Sequence, residues 1–197
     1  MSLRKLFNFD FFLNLHLIFK PGHIVPDFQV ERLIDLTGIL QNHPVEGIIF
    51  DIDQTILPFG SDEVSAENRE FLRHLQTEYR CCILSNFPPL AERIKRIESI
   101  EKQVGIEVIA AAQKKPAAAA FQTALDYLQT EPQKTLMVGD RILTDITGGK
   151  NAGLKTVLIP PIDKSTDPFF TVRFPRYFED KYLKTLQLCY PFKKRLK

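Results

Sequence analysis

The chain contains, at residues 45–53, the stretch Val45-Glu46-Gly47-Ile48-Ile49-Phe50-Asp51-Ile52-Asp53. Its first part is short, largely apolar and β-branched, which is typical of a strand buried on both faces of a parallel sheet. A carboxylate stands where this pattern stops, and a second one follows two residues later. The stretch therefore predicts a central strand, from Val45 to Phe50, that ends in a pair of acidic side chains.

Further short apolar runs follow this stretch and alternate with helical patterns. We predict four more strands: Cys81 to Leu84, Glu107 to Ala110, Thr135 to Val138 and Thr156 to Ile159. Helices are predicted from Pro26-Asp27, after Ser65, after Pro88-Pro89, from Pro116 to Leu128 and from Ile142 to Ala152. Strands that alternate with helices in this way indicate an α/β fold, a doubly wound (Rossmann-like) parallel sheet.

Composition is that of an ordinary single-domain protein. The 197 residues are 44% hydrophobic, which suffices for a full core. With 25% charged residues and a formal net charge of +2, no nucleic-acid partner is expected. The 3 cysteines suit neither a disulfide framework nor a metal site, and favour a reducing compartment. We divide the chain into an N-terminal apolar arm and helix (1–44), an α/β core (45–162) and a C-terminal helical extension with a basic tail (163–197).

Both ends of the chain carry patterns that bear on membranes. The arm from Leu6 to Phe19 is rich in Phe, but polar residues interrupt it and no cleavage site follows. Neither a signal peptide nor a membrane span is therefore expected, and the arm either packs on the domain or lies in a membrane interface. The tail from Lys193 to Lys197 is either a frayed basic terminus or a contact with anionic lipid.

Asp51 and Asp53 are the first candidates for chemistry. Two carboxylates this close repel each other and lose hydration unless a cation lies between them, which predicts a bound metal, with Mg²⁺ the natural candidate. One carboxylate can attack phosphorus and form an aspartyl-phosphate, while the second donates a proton to the leaving oxygen and later accepts one from water. A strand followed by a plain acidic turn is the alternative interpretation.

Polar side chains also follow other predicted strands. In doubly wound sheets the ligand site lies beyond the carboxyl ends of the strands, so these side chains should converge with Asp51. The candidates are Ser85 and Asn86 after the second strand, Lys115 just before a helix, and Asp140 and Asp145 after the fourth strand. Taken alone, Ser85 is equally well explained as a turn residue and Lys115 as a solvated charge. Taken together, hydroxyl, amide, ammonium and carboxylate groups at one edge indicate phosphoryl transfer.

These motifs, with Lys115-Pro116 and the run from Val138 to Gly153, resemble the haloacid dehalogenase (HAD) superfamily of phosphatases. Within it they look like the subclass IIIA branch known as the YqeG family, which includes phosphatidylglycerophosphate phosphatases. The resemblance extends from Gly47 to Pro161 and implies a HAD-type fold. At Gln54 the chain departs from the family's usual Asp-x-Asp-Asn-Thr pattern, which puts the local turn in doubt but leaves both carboxylates in place.

The resemblance also implies roles for the site residues. Asp51 would be the nucleophile and Asp53 the general acid/base. The Mg²⁺ ligands would be Asp51, the backbone carbonyl of Asp53, and Asp140; the phosphate would be bound by Ser85, Asn86 and Lys115; Thr55 and Asp145 would support the site.

The spacing of the motifs leaves no room for a large cap domain after the first or the second strand. An open site favours a bulky or membrane-borne phosphate. Together with the resemblance, the open site predicts an enzyme whose substrate is phosphatidylglycerophosphate and which binds the lipid by its phosphorylated head group. The enzyme is expected in the cytoplasm and is at most peripheral on the membrane. A soluble phosphatase for a sugar, nucleotide or phosphoprotein is the second hypothesis, and a non-catalytic binding module of the same fold is the third.

Overall fold

The computed structural model of the protein describes residues 24–86 and 91–189. These residues form a six-stranded sheet in which all neighbouring strands are parallel. In chain order the strands are β1 (Phe28–Gln29), β2 (Gly47–Phe50), β3 (Arg80–Leu84), β4 (Val108–Ile109), β5 (Thr135–Gly139) and β6 (Lys155–Leu158). Their order across the sheet is β1-β6-β5-β2-β3-β4, so the chain runs outward on one side of β2 and then on the other. The doubly wound α/β fold predicted from the sequence is confirmed.

Helices connect the strands and cover the sheet. They are α1 (Leu36–Asn42), α2 (Ala66–Leu75), α3 (Ala91–Val104), α4 (Ala118–Leu128), α5 (Thr147–Asn151) and α6 (Phe174–Cys189). Wider turns of π type at Ile142–Ile146 and Phe169–Arg173 lead directly into α5 and α6. The Oγ atom of Ser65 accepts a 3.2 Å hydrogen bond from the backbone N–H of Asn68, and so caps α2 as predicted.

The central strand β2 is buried along its whole length and separates two apolar layers. Ile48 and Phe50 belong to the layer that also holds buried side chains of α1, α2 and α3. Ile49 belongs to the other layer, with Phe121 and Leu125 of α4. Successive side chains of a strand point to opposite faces, so an apolar run without alternation is what a sheet covered on both faces requires.

The connections from β2 to β3 and from β3 to β4 are short. Among the described residues, a single helix, α2, lies between β2 and β3, and a single helix, α3, lies between β3 and β4. No large cap domain is inserted in either described connection. Within the residues that the structure describes, no separate domain covers the edge of the sheet at the carboxyl ends of β2 and β3.

The start predicted at Pro26-Asp27 for the first helix is wrong, although the later part of that helix is present as a turn at Leu33–Asp35 and as α1. Phe28 and Gln29 form the edge strand β1, which pairs with β6, and helical structure begins only at Leu33. Asp27 fixes this strand, because its Oδ2 accepts a 2.8 Å hydrogen bond from the backbone N–H of Thr156. A strand of two residues has no periodicity to read, so contacts with a distant part of the chain decided its structure.

Two predicted helix boundaries also differ from the structure. The helix expected from Pro116 begins at Ala118, because the backbone N–H of Ala117 still closes a turn onto the carbonyl of Lys114. The helix expected from Ile142 to Ala152 is a π-type turn followed by the short α5. It stops before Gly153, whose φ of +81° lies in the left-handed region that favours glycine.

Several predictions fall on other parts of the chain. The arm from Leu6 to Phe19, the start of the helix at Pro88-Pro89, and the tail from Lys193 to Lys197 lie outside the described residues. The domain boundaries at 44 and 162 stay predictions. Among the helices that the structure describes, none is both long and apolar enough to cross a bilayer.

Candidate active site

The carboxyl ends of β2, β3 and β5 meet at one edge of the sheet. Phe50, the last residue of β2, is paired with Ile83 of β3 on one side and with Val138 of β5 on the other. The residues that follow these strands therefore come together, and the backbone N–H of Asp51 donates a 2.9 Å hydrogen bond to the carbonyl of Val138. Ser85, directly after β3, is half-buried at the same edge.

Lys115 joins two of the predicted acidic residues. Its Nζ lies 2.6 Å from Oδ1 of Asp51 and 2.7 Å from Oδ1 of Asp145. Only 4% of Lys115 is exposed, and burial alone would disfavour its charge. The carboxylates of Asp145 and Asp51 outweigh that effect and raise the pKa of Lys115 above the ordinary range of a lysine. A permanent ammonium group is thus held against the predicted nucleophile.

Asn86 fixes the backbone of Lys115. Its Oδ1 accepts a 2.7 Å hydrogen bond from the N–H of Lys115, and its Nδ2 donates a 3.0 Å hydrogen bond to the carbonyl of the same residue. These two hydrogen bonds position Lys115, although the two residues are 29 positions apart in the sequence. The structure therefore gives Asn86 a positioning role, and its predicted direct contact with phosphate stays a prediction.

Asp145 reaches the site because of the π-type turn that follows β5. Its Oδ2 accepts a 3.1 Å hydrogen bond from the backbone N–H of Arg141, which orients the carboxylate toward Lys115. The approach is possible only because residue 139 is glycine, since a Cβ atom there would overlap the side chain of Asp145.

Three carboxylates form an acidic cluster. Asp51, Asp140 and Asp145 each offer an oxygen atom, and these atoms all lie within 4.8 Å of one another. Burial raises the pKa of Asp51 to about 6, against the attraction of Lys115. Burial likewise raises the pKa of Asp140 to about 8, against the attraction of Arg176. Both shifts express the unfavourable free energy of carboxylates crowded together away from water.

A divalent cation fits this cluster. Oδ1 of Asp140 accepts no hydrogen bond from the described residues, whereas Oδ2 lies 2.6 Å from Nη2 of Arg176 in a buried ion pair. Buried oxygen donors without hydrogen bonds are suitable ligands for a hard cation such as Mg²⁺. The cluster contains the carboxylates of Asp51 and Asp140, two of the predicted ligands, and its third carboxylate is that of Asp145. The predicted contact of the metal with the backbone carbonyl of Asp53 stays a prediction.

The side chain of Asp53 is turned to a different partner. Its Oδ1 lies 2.7 Å from Nη2 of Arg96, its Oδ2 lies 3.4 Å from Nη1, and the backbone N–H of Gly60 also donates to Oδ1 at 3.1 Å. Arg96 further donates to the carbonyl of Ser61 at 2.8 Å. Sequence reasoning missed Arg96, which lies 43 residues from Asp53 on α3, within an ordinary amphipathic helical pattern.

Gln54, the residue at which the chain departs from the family pattern, is buried in a left-handed conformation with a φ of +67°. Its Nε2 lies within hydrogen-bond distance of the Asp163 carbonyl (2.6 Å), Oγ1 of Thr166 (3.0 Å) and Oδ1 of Asp167 (2.6 Å). The next residue, Thr55, is fully buried, and its Oγ1 forms no hydrogen bond within the described residues. The turn after Asp53 is thus tied to the chain that follows β6.

α6 reaches the same edge of the sheet from the C-terminal side. Nε of Arg176 donates a 3.0 Å hydrogen bond to Oδ2 of Asp167, and its Nη1 donates to the carbonyl of Asp140 at 3.2 Å. Glu179 pairs with Arg141 at 2.9 Å and accepts from the N–H of Ile142 at 3.0 Å. Sequence reasoning missed these residues, because charged residues in a C-terminal helix ordinarily face solvent.

Comparison with known proteins agrees with this geometry. The family model described as "Mitochondrial PGP phosphatase" matches residues 12–162. The probable phosphatase YqeG of Bacillus subtilis (strain 168) is 28% identical over 165 residues, which make up 83% of this chain and 91% of YqeG. The chloroplastic phosphatidylglycerophosphate phosphatase 1 of Chlamydomonas reinhardtii is 33% identical over 140 residues, 68% of this chain and 51% of that protein. This chain therefore spans about half the length of the algal relative.

Among solved structures, a crystal structure with 14% sequence identity superposes with a TM-score of 0.52, over 78% of this chain and 88% of the other. At this identity the likeness concerns the fold alone. The family match is of a different kind, because it extends over most of the chain and includes the strands that carry Asp51, Ser85 and Asp140. With a buried lysine between two carboxylates at that edge, the chain belongs to the PGP phosphatase family of HAD-type phosphatases and is a phosphoric monoester hydrolase.

Proposed function

We propose that this protein removes the terminal phosphate of phosphatidylglycerophosphate, and that it does so through an aspartyl-phosphate on Asp51. The observation that carries the proposal is the position of Lys115, whose Nζ lies 2.6 Å from Oδ1 of Asp51 at the open edge of the sheet. A fixed ammonium group beside a nucleophilic carboxylate binds the anionic phosphoryl group where the attack occurs.

In the first half of the reaction, an oxygen of Asp51 attacks phosphorus and the bond to the lipid oxygen breaks. Asp53 gives its proton to that leaving oxygen, so that the phosphate ester becomes an alcohol. Ser85 and Lys115 hold the phosphoryl oxygens during the transfer. In the structure the carboxylate of Asp53 is paired with Arg96, with Oδ1 2.7 Å from Nη2, so this contact must open before Asp53 can give a proton to the leaving oxygen.

In the second half, a water molecule attacks phosphorus of the aspartyl-phosphate. Asp53, now a carboxylate, accepts a proton from this water, and inorganic phosphate leaves with the regeneration of Asp51. Asp145 keeps Lys115 in place throughout, through the 2.7 Å ion pair between Nζ and Oδ1.

Mg²⁺ belongs to the proposal as the cofactor. When bound, it would neutralise the carboxylates and the phosphoryl oxygens and align them for in-line transfer. The proposed ligands are the carboxylates of Asp51 and Asp140 and the backbone carbonyl of Asp53. The three buried carboxylates, whose ligand oxygens lie within 4.8 Å of one another, support this assignment, because Lys115 and Arg176 supply fewer positive charges than the three carboxylates carry when ionised.

A lipid head group is the proposed substrate for two reasons. The algal relative is named a phosphatidylglycerophosphate phosphatase, and the family carries the same description. In addition, the described connections β2–α2–β3 and β3–α3–β4 leave the site edge without a large cap, so a phosphate presented at a surface can reach it. We propose accordingly that the protein works at a membrane as a peripheral protein.

The test is an assay of the purified full chain with Mg²⁺ against phosphatidylglycerophosphate in mixed micelles and against a panel of sugar, nucleotide and protein phosphomonoesters. We expect the highest kcat/KM on the lipid and loss of phosphate release after chelation of the metal. Asp51→Asn should abolish turnover, whereas Asp126→Asn, an exposed substitution on α4, should leave it unchanged.

Two other results would redirect the assignment. Preference for one of the soluble esters would replace the lipid substrate by the second hypothesis while keeping the phosphatase. Binding of phosphate esters without turnover, in the presence of Mg²⁺, would support the non-catalytic binding module.

A further inference from the structure

The first half of α6 departs from the pattern of an ordinary surface helix. The buried face carries charges, since Arg176 and Glu179 are each 5% exposed. The opposite face carries aromatic rings, with Phe174 at 43% and Tyr177 at 62% exposure. Buried charges and exposed large apolar side chains are the informative exceptions on a protein surface. The two buried charges of α6 are paired with residues at the active site.

The exposed rings form one continuous surface. Phe169 and Phe170, in the turn that leads into α6, are 55% and 57% exposed and their ring centroids lie 5.1 Å apart. Phe170 and Phe174 are four residues apart in one helical segment, so they lie on the same side. The ring of Phe174 lies 5.0 Å from that of Phe178, which in turn lies 5.6 Å from Tyr177. We call these five residues the aromatic face.

Positive charges surround the aromatic face. The exposed cations of this segment are Lys164, Arg173, Lys181 and Lys184. The acids Asp167 and Glu179 are buried and paired with Arg176 and Arg141. Asp180 lies 3.8 Å from Lys164 at its carboxylate oxygen. The outward surface is therefore aromatic and net positive, although the chain as a whole is nearly neutral.

We propose that the aromatic face docks the protein on an anionic lipid bilayer. Aromatic rings are favourable in the interfacial layer of a membrane, and lysine and arginine beside them are attracted to anionic head groups. The charge of the surface is complementary to such a bilayer, and this choice of partner rests on the proposed function, in which the substrate is a lipid. The site of contact is thus α6 and the turn before it, a region distinct from the apolar arm and the basic tail.

The same helix connects the bilayer to the chemistry. Arg176, on the inner face of α6, lies 2.6 Å from Oδ2 of Asp140, and its outward neighbour Tyr177 belongs to the aromatic face. A membrane bound to one side of the helix is therefore one helix diameter from the proposed metal ligand.

The experiment is cosedimentation of the full chain with vesicles of phosphatidylcholine alone or mixed with phosphatidylglycerol. Neither lipid is a phosphomonoester; because phosphatidylglycerol is the product of the proposed reaction, vesicles with phosphatidylserine as the anionic lipid serve as a parallel test that does not involve the active site. We expect association with the anionic vesicles. Lys181→Gln/Lys184→Gln should weaken it about tenfold at low salt and little at high salt, because salt screens the attraction. Phe170→Ser/Tyr177→Ser should weaken it about tenfold at all salt concentrations, because apolar burial is not screened.

Matched controls lie on α3, where Ile94 is 48% exposed and Lys102 is an exposed lysine. Ile94→Ser and Lys102→Gln should bind vesicles like the unchanged protein. All variants should hydrolyse a soluble aryl phosphate at the same rate, because none of the changed residues belongs to the catalytic machinery.

The outcomes separate this inference from the proposed function. Loss of vesicle binding in the α6 variants of a chain that never hydrolyses phosphatidylglycerophosphate would support docking and reject the substrate. Full lipid turnover with unchanged vesicle binding in the α6 variants would reject docking and leave the function intact. A lowered melting temperature of Phe170→Ser/Tyr177→Ser would show that another part of the chain covers the face, and loss of a concentration-dependent dimer would show that a second copy does; both would overturn the proposal.

Discussion

The side-chain amide of Gln54 and the backbone of Asp163 form a reciprocal pair of hydrogen bonds. Nε2 of Gln54 donates to the carbonyl of Asp163 at 2.6 Å, and Oε1 of Gln54 accepts from the N–H of Asp163 at 2.8 Å. The turn that follows the proposed acid/base is thereby joined to a segment 109 residues further along the chain. The longer side chain of glutamine makes this reach possible, and this explains why the departure from the family pattern leaves an ordered turn.

Gln54→Ala should therefore destabilise the fold and loosen residues 163–176. Loss of the amide hydrogen bonds to a buried region should lower the free energy of unfolding by about 2–3 kcal/mol. Gln54→Asn should have a smaller effect, because asparagine adopts the left-handed conformation more readily although its amide is one methylene too short. Denaturant unfolding and amide hydrogen exchange measure both changes. Gln122→Ala, which removes an exposed amide contact to Asp126, is the control, and an equal loss there would contradict the argument.

Arg176→Met should be strongly destabilising in the absence of metal. It leaves Asp167 and Asp140 buried without their cation, and removal of one partner of a buried ion pair costs about 3–5 kcal/mol. Addition of Mg²⁺ should restore more stability to this variant than to the unchanged protein, because the ion supplies the missing charge beside Asp140. Thermal melts across a Mg²⁺ titration provide the measurement. Arg73→Met, on the exposed face of α2, should behave like the unchanged protein, and identical Mg²⁺ shifts in all three would refute the idea.

The metal-free protein should lose stability as the pH rises toward 8. The pKa of Asp51 is raised from 3.8 to about 6, and that of Asp140 from 3.8 to about 8. Because the folded state holds these protons more tightly than the unfolded state, their contribution is complete below pH 3.8 and is lost as the pH passes about 6 and then about 8. This loss of stability can be measured by urea unfolding in the presence of a chelator, at pH values about one unit apart between about pH 5 and about pH 9.

The variant Asp140→Asn isolates the effect from other titrating groups. Its stability should depend less on pH above about 6 than that of the unchanged protein, because asparagine carries no proton to lose. Saturating Mg²⁺ should reverse the trend for the unchanged protein, since a cation favours the ionised carboxylates. Parallel curves for the two proteins in chelator would count against the raised pKa of Asp140.

Asp53→Asn should slow the hydrolysis of alkyl phosphates more than that of aryl phosphates. A phenolate leaves readily without a proton, whereas an alkoxide requires one, and general acid catalysis contributes about 10²–10⁴-fold. The asparagine side chain retains an oxygen that can accept a hydrogen bond from Arg96, so the fold should be kept. Steady-state kinetics on the two classes of ester provide the comparison. If both rates fell by the same factor, Asp53 would not be the acid.

The parts of the fold and site that could be predicted from the sequence are those that depend on local pattern. The apolar run before Asp51 indicated a buried parallel strand. Ser85 and Asp140 directly follow two other predicted strands, and this indicated that their side chains would lie near Asp51. The proximity of Asp51, Asp140 and Asp145 follows from that topology. Strand β1 could not be predicted in this way, because its two residues pair with β6, and Asp27 before them is held by Thr156 and Lys150, all far along the chain.

The partners of the site residues could not be predicted either. The contacts of Arg96 with Asp53 and of Arg176 with Asp140 join helices to strand ends over 43 and 36 residues, and no local periodicity distinguishes these arginines from others. The reciprocal bonds of Asn86 with Lys115 depend in the same way on the packing of two loops. Among these residues only Gln54 could be singled out in the sequence, because it departs from the family pattern. Its hydrogen-bond partners could be identified only from the structure.

Arg176 follows every other residue of the acidic cluster in the order of synthesis. A nascent chain that has emerged as far as β6 already contains Asp51, Lys115, Asp140 and Asp145, but not the guanidinium group that pairs with Asp140. Docking of α6 can therefore complete the site only after the whole core has been translated. A chain interrupted before α6 would have all six strands but a buried Asp140 without its guanidinium partner, and its lower stability would expose it to cellular quality control.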